Sequence, residues 1–182
     1  MNILEHLEHF LGEMRRGWSG DGATGIQVAE FSDTPWDGAT TLATIGLSRH
    51  ELALSPLKAV REELVMVVEQ RNRIEDVARL LLHVAERTAM AHDGFLRGQT
   101  ISADGLVVDG GDMAELYASI PVVFPDGIQT LATTDPPTVV VWLIPLRAAE
   151  SHFIAVHGWS AFEDCLQQGG VNLADLDRDS VV

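Results

Sequence analysis

With 182 residues, 46% of them hydrophobic, the chain fits one domain of ordinary size that can bury a core. Its formal net charge of −15 at pH 7 argues against nucleic-acid binding, because such a surface repels phosphates. The charge either favours a basic partner or serves only to keep the protein soluble. The acidic start is unlike a secretory signal, no apolar run approaches the roughly 18 residues of a membrane span, and the lone Cys165 can form no intrachain disulfide, so we expect a cytoplasmic protein.

The N-terminal half of the chain alternates a predicted helix with strands. Apolar residues recur at helical spacing over residues 2–14, which predicts an amphipathic helix, and the glycine-rich stretch that follows ends it. Strands are predicted at 26–31, 41–48 and 60–70, with a turn at 32–38. The second strand, TLATIGLS, has little side-chain bulk at Ala43 and Gly46, which favours close packing against a neighbouring backbone. In the third strand, residues 64–68 are apolar on both faces, as in the middle of a covered sheet.

The C-terminal half contains the clearest helix and the most apolar strand. Residues 72–91 carry an apolar stripe at helical spacing, and residues 92–114 are rich in glycine and predicted to be irregular. The run TVVVWLIPL, residues 138–146, predicts a central strand with Trp142 in or near the core. The other predicted elements are a strand at 115–124, a short strand within 128–137, helices at 147–157 and 159–168, and an acidic tail.

This order of elements is not a regular alternation of strand and helix. It predicts an α+β fold, with one domain over residues 1–182 in which helices flank a mixed, mostly antiparallel β-sheet. No glycine-rich phosphate loop stands at a junction between a strand and a helix, so the sequence carries no nucleotide-binding fingerprint, and we expect no cofactor.

Four segments, in this order and at about this spacing, resemble the Suppressor of fused-like domain family over residues 20–170. They are TPWDGATTLATIGLS, ELVMVVE, FLRGQTI and VVVWLIPLRAAESHFIAVHGWSAFEDCL. One departure is visible, because Arg147 stands where the family often has a Ser or Thr that caps the next helix, and only Glu150 remains of that capping box.

The resemblance implies a non-enzymatic, protein-binding domain with a mixed sheet and flanking helices. It indicates a bacterial single-domain member, because this chain lacks the second domain of the eukaryotic proteins. Bacterial relatives are often immunity proteins beside polymorphic toxins, so the resemblance implies a toxin domain as the partner. The acidity of this chain would suit a basic toxin.

The acidic residues of two loops are the predicted partner-binding residues. Asp104, Asp109 and Asp112 lie in the glycine-rich region, and Asp126 lies in a PDG turn. The spacing in the first loop does not match a calcium-binding loop, and no Glu closes it at the required distance. Loops carry recognition and carboxylates attract a basic surface, so we expect these four residues to contact a partner.

Three histidine or cysteine groups could in principle bind a metal or take part in catalysis. His6, His9 and Glu13 would share one strip of the first helix and form a weak candidate zinc site, against the alternative of a solvated flank. His157 precedes Gly158, where an imidazole favours the end of a helix, and its distance in sequence from His152 suits one metal badly. Cys165 is interpreted as a half-buried apolar residue, although a nearby histidine could serve it as a base.

Glu62 and Glu63 are adjacent in a predicted strand, so their side chains point to opposite faces and cannot act as a pair. With no convergent set of acids and bases, we predict a binding protein. The alternatives left open are an uncharacterised hydrolase or metal-dependent enzyme and a self-associating subunit. The oligomeric state is not predicted.

Overall fold

The structure is a computed structural model that describes residues 1–20, 22–69, 71–102 and 113–182. Its helices are α1 (Ile3–Leu11), α2 (Ile74–Ala91), α3 (Ala148–His157) and α4 (Trp159–Gly169). Its strands are β1 (Arg16–Ser19), β2 (Gln27–Ser32), β3 (Thr40–Ile45), β4 (Leu52–Ser55), β5 (Lys58–Val68), β6 (Thr100–Ser102), β7 (Met113–Ser119), β8 (Thr130–Leu131) and β9 (Thr138–Arg147).

These strands form one sheet with the order β1-β2-β3-β5-β9-β7-β6. Strand β4 pairs with the start of β5, and β8 pairs with the start of β9. The central pair, β5 and β9, is parallel, with Val65 opposite Trp142, whereas the other pairs of named strands are antiparallel. The predicted α+β fold with a mixed, mostly antiparallel sheet is therefore confirmed.

The sheet is covered on both faces, which is why its central strands are apolar throughout. On one face, α2 packs its buried stripe against alternate residues of β3 and β5, such as Leu42, Leu64 and Met66. On the other face, α1, α4 and the C-terminal tail pack against the intervening residues, among them Val65 and Trp142. Trp142 is buried, as the sequence predicted.

Several predicted boundaries were wrong. Helix α1 begins with a capping box between Asn2 and Glu5 but ends at Leu11, where Gly12 adopts a positive φ of 87°. The predicted strand 41–48 ends at Ile45, because Gly46, at φ 109°, turns the chain into a short 3-10 helix, Leu47–Arg49. The predicted helices 147–157 and 159–168 match α3 and α4 to within one residue at each end.

The sequence prediction also missed three short strands. Strand β1 lies in the stretch that was predicted to be only a break, β4 precedes β5 in a hairpin, and β6 lies in the region that was predicted to be irregular. Each has four residues or fewer, and each is held by pairing with a longer neighbour that its own sequence does not reveal. Over the residues that the structure describes, none of the helices has the length and hydrophobicity required to cross a bilayer.

Candidate functional site

A fully buried carboxylate explains the composition of TLATIGLS. Glu63 on β5 accepts hydrogen bonds from Thr44 Oγ1 (2.6 Å), the Gly46 N–H (2.9 Å), and both the N–H and Oγ of Ser48 (3.1 and 2.7 Å). Burial raises the pKa of Glu63, and these hydrogen bonds act in the opposite direction. Thr44, Gly46 and Ser48 of this segment therefore form a cradle for Glu63, in addition to the close packing that the sequence predicted at Ala43.

Glu62 is equally buried but has a different partner. Both of its carboxylate oxygens lie within 3.1 Å of the Phe95 nitrogen, whose N–H they accept. Burial raises the pKa of Glu62 to about 7, and the Phe95 hydrogen bond limits the rise. Glycine is required next to Phe95, because a Cβ on Gly94 would lie 2.8 Å from a methyl group of Val60. Glu62 thus fixes the chain that leaves α2, and it shares no site with Glu63.

A third buried carboxylate anchors the C-terminal tail. Arg178 donates two hydrogen bonds to Glu150, at 2.6 and 2.8 Å, and a third to the Pro145 carbonyl. Burial acts to raise the pKa of Glu150, but Arg178 and the backbone N–H groups of Arg147 and Val181 hold it below its usual value. The Arg147 side chain, which replaces the expected capping hydroxyl, donates to the carbonyls of Leu176 and Arg178. The tail, which the sequence described only as acidic, is therefore part of the folded structure.

An apolar pocket of about 220 Å³ opens on the opposite face of the sheet from α2, between β9, α4 and the loop after β7. Trp142 and Ile144 of β9 belong to its lining, together with Leu166 of α4. The loop contributes Ile120 and Val122, which remain 44% and 66% exposed. The other lining residues are Arg97, Ser119, Val123, Glu163, Gln167 and Leu173.

The polar side of this pocket is held by a connected group of side chains. Arg97 donates two hydrogen bonds to Glu163, one of them at 3.1 Å from Nε to Oε1, and Tyr117 donates its O–H to the same carboxylate at 2.8 Å. Burial and the bond to Glu163 raise the pKa of the Tyr117 phenol. The Arg97 guanidinium also lies 5.1 Å from the centre of the Trp159 ring. These contacts hold Arg97 and Glu163 together as an ion pair that has no net charge.

The predicted partner-binding residues are only partly described. Asp104, Asp109 and Asp112 lie outside the described residues. Asp126 is exposed on the loop that also carries Ile120 and Val122. That loop is held against α1, because His6 Nε2 lies 3.0 Å from the Ile128 carbonyl.

The weak candidate metal residues do not converge. His6 is buried, His9 is exposed against the edge of Phe10, and Glu13 lies beyond the end of α1. Within the described ranges, no group of three or more His, Cys, Asp or Glu side chains could hold a metal ion.

The other weighed residues lie on α2, α3 and α4. His83 is exposed on α2. His157 is the last residue of α3, where its ring lies 4.5 Å from that of Phe153, and His152 is exposed one turn earlier. Cys165 is partly buried on α4, as the sequence predicted. The sequence missed the pocket because its lining comes from five segments that only the fold brings together.

Comparison with known proteins shows the family. The model of the family described as Suppressor of fused protein (SUFU) matches residues 22–179, so the chain belongs to the Suppressor of fused family. Among curated relatives, the immunity protein YqcF of Bacillus subtilis (strain 168) is 22% identical over 171 residues, which span 91% of this chain and 86% of that protein.

Solved structures show the same fold. A Suppressor of fused homologue from Neisseria gonorrhoeae FA 1090 has a TM-score of 0.78 and 18% identity, with 99% of this chain and 94% of that chain covered. A chain of the Sufu–Fu complex has a TM-score of 0.66 and 14% identity over 98% of this chain and 90% of its own. Drosophila Suppressor of fused matches at a TM-score of 0.60 and 13% identity, and the match covers 86% of this chain but only 42% of the Drosophila chain.

Proposed function

We propose that this chain is a non-enzymatic, protein-binding domain that acts in the cytoplasm as an immunity protein and neutralises a toxin. The observation that carries the proposal is the relationship to the Bacillus immunity protein, which spans 91% of this chain and 86% of the relative. Most of the relative's length therefore has a counterpart here. The family match over residues 22–179 supports the same class of function.

The internal use of the buried carboxylates supports a binding role over a catalytic one. Glu62, Glu63 and Glu150 accept hydrogen bonds from the backbone and side chains of their own chain, and none of them lines the apolar pocket. A catalytic acid or base must instead present its carboxylate to a substrate. These three groups serve to hold loops and the tail in place.

The acidic residues selected from the sequence remain our candidates for contact with a basic toxin. If Asp104, Asp109, Asp112 and Asp126 border the interface, their charges act mainly on the rate of association. We expect added salt to slow association more than it speeds dissociation, and replacement of all four by Asn to do the same. Surface plasmon resonance measures both rates. An unchanged association rate for the folded quadruple variant at low salt would exclude these residues but leave the binding function intact.

The function is tested by co-expression with each candidate toxin whose gene is found near the gene of this chain. In a bacterial host we expect the toxin to stop growth alone and the wild-type chain to restore it, with a stable complex on size-exclusion chromatography. The Arg178→Met variant tests whether protection depends on the folded chain. It loses the partner of Glu150 and so should fold poorly and protect less. If the folded wild-type chain neither binds the toxin nor restores growth, the proposal is wrong.

A further inference from the structure

The apolar pocket between β9, α4 and the loop after β7 is suited to a particular contact with a partner. We propose that it receives one apolar side chain from a basic segment of the toxin, and that Val122 and Ile120 surround this anchor. The inference rests on the proposed function and specifies where and how the partner binds.

Four exposed hydrophobic side chains lie in this pocket or next to its residue Arg97. Ile120 and Val122 line it, and both are more than 40% exposed although they are large and apolar. Leu96 and Trp159 are also exposed, and Leu96 precedes Arg97 in the chain while Trp159 lies under its guanidinium. Single exposed apolar residues are ordinary, but a group of them around a concave site marks an interaction surface. Trp and Arg are also the residues that most often dominate binding energy at protein interfaces.

The size of the pocket determines what can occupy it. At about 220 Å³ it is smaller than most sites for free small molecules, which measure roughly 300–1,000 Å³. It is suited to a single aliphatic or aromatic side chain projecting from a larger molecule, which is how anchor residues fill pockets at protein interfaces. A protein partner therefore fits this pocket better than a metabolite does.

The charges around the pocket specify the surroundings of that side chain. Arg97 and Glu163 form an ion pair at the pocket. Among the described residues that line the pocket, no charged side chain is therefore left unpaired. Outside it, Asp126 is exposed on the loop of Val122 and Asp164 is exposed on α4 next to Glu163. An apolar pocket with exposed carboxylates on two of the elements that line it is complementary to an apolar residue flanked by Lys or Arg.

The pocket is also rigid before anything binds. Trp142 and Ile144 belong to the central strand β9, and Tyr117 of β7 holds Glu163 on α4. Trp159 packs so closely on Gly98 that a Cβ there would lie 2.5 Å from the indole. Because these residues are already fixed, little conformational entropy is lost when a partner's side chain enters.

The test is the affinity of single variants for the toxin used in the growth experiment. Val122→Asp and Val122→Lys each place a charge at the apolar pocket, and we expect each to weaken binding at least about thirty-fold, as loss of an anchor contact does. The matched controls are Leu57→Asp and Leu57→Lys, since Leu57 is fully exposed in the turn between β4 and β5 and does not line this pocket. The control variants should bind within about three-fold of wild type. Urea denaturation confirms that all four variants fold.

Each other outcome overturns the proposal. Full affinity in Val122→Asp, an effect of only one sign of charge, or an equal loss in the Leu57 variants would place the interface elsewhere or make it purely electrostatic. Light scattering tests a second copy of this chain as the occupant, and a wild-type dimer that Val122→Asp dissociates would replace the toxin by that copy. If the wild-type chain does not bind the toxin, the proposed function is wrong. If the wild-type chain and the Val122 variants bind equally well, the proposed function stands and only the proposed pocket contact is wrong.

Discussion

Adjacent glutamates on β5 show how single residues are buried for structural purposes. Glu63 lies in a cradle of hydroxyl and backbone donors, whereas Glu62 accepts one backbone N–H, that of Phe95, within the described part of the chain. Burial raises the pKa of both, because removal of a carboxylate from water disfavours its charged form. The value for Glu62, about 7, lies at neutral pH, so its protonation state is sensitive to ordinary conditions.

Replacement of Glu62 by Gln should change how stability depends on pH. The pKa of Glu62 is about 7 in the folded protein and 4.5 ordinarily, so between these values only the folded chain holds the proton. Its stabilising contribution is complete below about pH 4.5 and is lost as pH rises through about 7. Between about pH 5 and pH 8 we expect wild type to lose about 2.5 kcal/mol relative to Glu62→Gln in the free energy of unfolding. Urea denaturation at both pH values measures this difference, and parallel pH curves would show that Glu62 does not titrate in this range.

At the scale of elements, strand β3 requires a small side chain at Ala43. Ala43 is fully buried, lies opposite Ala29 of β2 and Val65 of β5, and belongs to the core that α1 covers. Ala43→Leu should overpack this site and cost about 1–3 kcal/mol. Urea denaturation measures the change, with a Leu substitution at the exposed Ala59 as the control. Equal stabilities of the wild-type protein and the Ala43 variant would mean that the core has room for the larger side chain.

Strand β9 carries a buried tryptophan and connects the core to the pocket. Trp142 is 3% exposed and packs with the residues covered by α1 and α4. Trp142→Ala should therefore cost about 3–5 kcal/mol, because it leaves a large cavity. Chemical denaturation followed by far-ultraviolet circular dichroism measures the loss without relying on tryptophan fluorescence. A loss below about 1 kcal/mol would contradict full burial of the indole.

The elements that the sequence predicted correctly are those whose own residues show a clear pattern. The helices α2, α3 and α4 have an apolar stripe or are separated by Gly158, and the sequence located them well. The strands β5 and β9 are long and apolar and were also found. Strands β1, β4 and β6 are too short to show a period, and pairing with longer strands determines their existence.

The pocket and the glutamate cradle could not be predicted, because they depend on register between distant segments. Thr44 and Ser48 meet Glu63 only because Ala43 of β3 lies opposite Val65 of β5. The sequence correctly separated Glu62 from Glu63, but adjacency in a strand does not reveal what each side chain meets.

At the scale of the molecule, a buried ion pair between Arg178 and Glu150 attaches the C-terminal tail to the start of α3. Arg178→Met should leave Glu150 buried without its cation and cost about 3–5 kcal/mol. Adding Glu150→Gln to that variant removes the unpaired charge and should recover part of the loss, so the two changes are not additive. Thermal or urea denaturation of the single and double variants provides the measurement. If the double variant is no more stable than Arg178→Met, the unpaired carboxylate is not the source of the loss.

The parallel pairing of β5 with β9 also governs how the chain reaches this structure. The residues that pair, Arg61–Val65 with Thr138–Trp142, are far apart in sequence, and α2, β6, β7 and β8 lie between them. Closing such a long loop costs entropy before the pairing compensates for it, so non-local topologies of this kind fold slowly. During synthesis, β3 and β5 can pair early, but the other side of β5 has to wait until β9 leaves the ribosome. In that interval an apolar strand has an unpaired edge, and it is then that the chain is most exposed to aggregation.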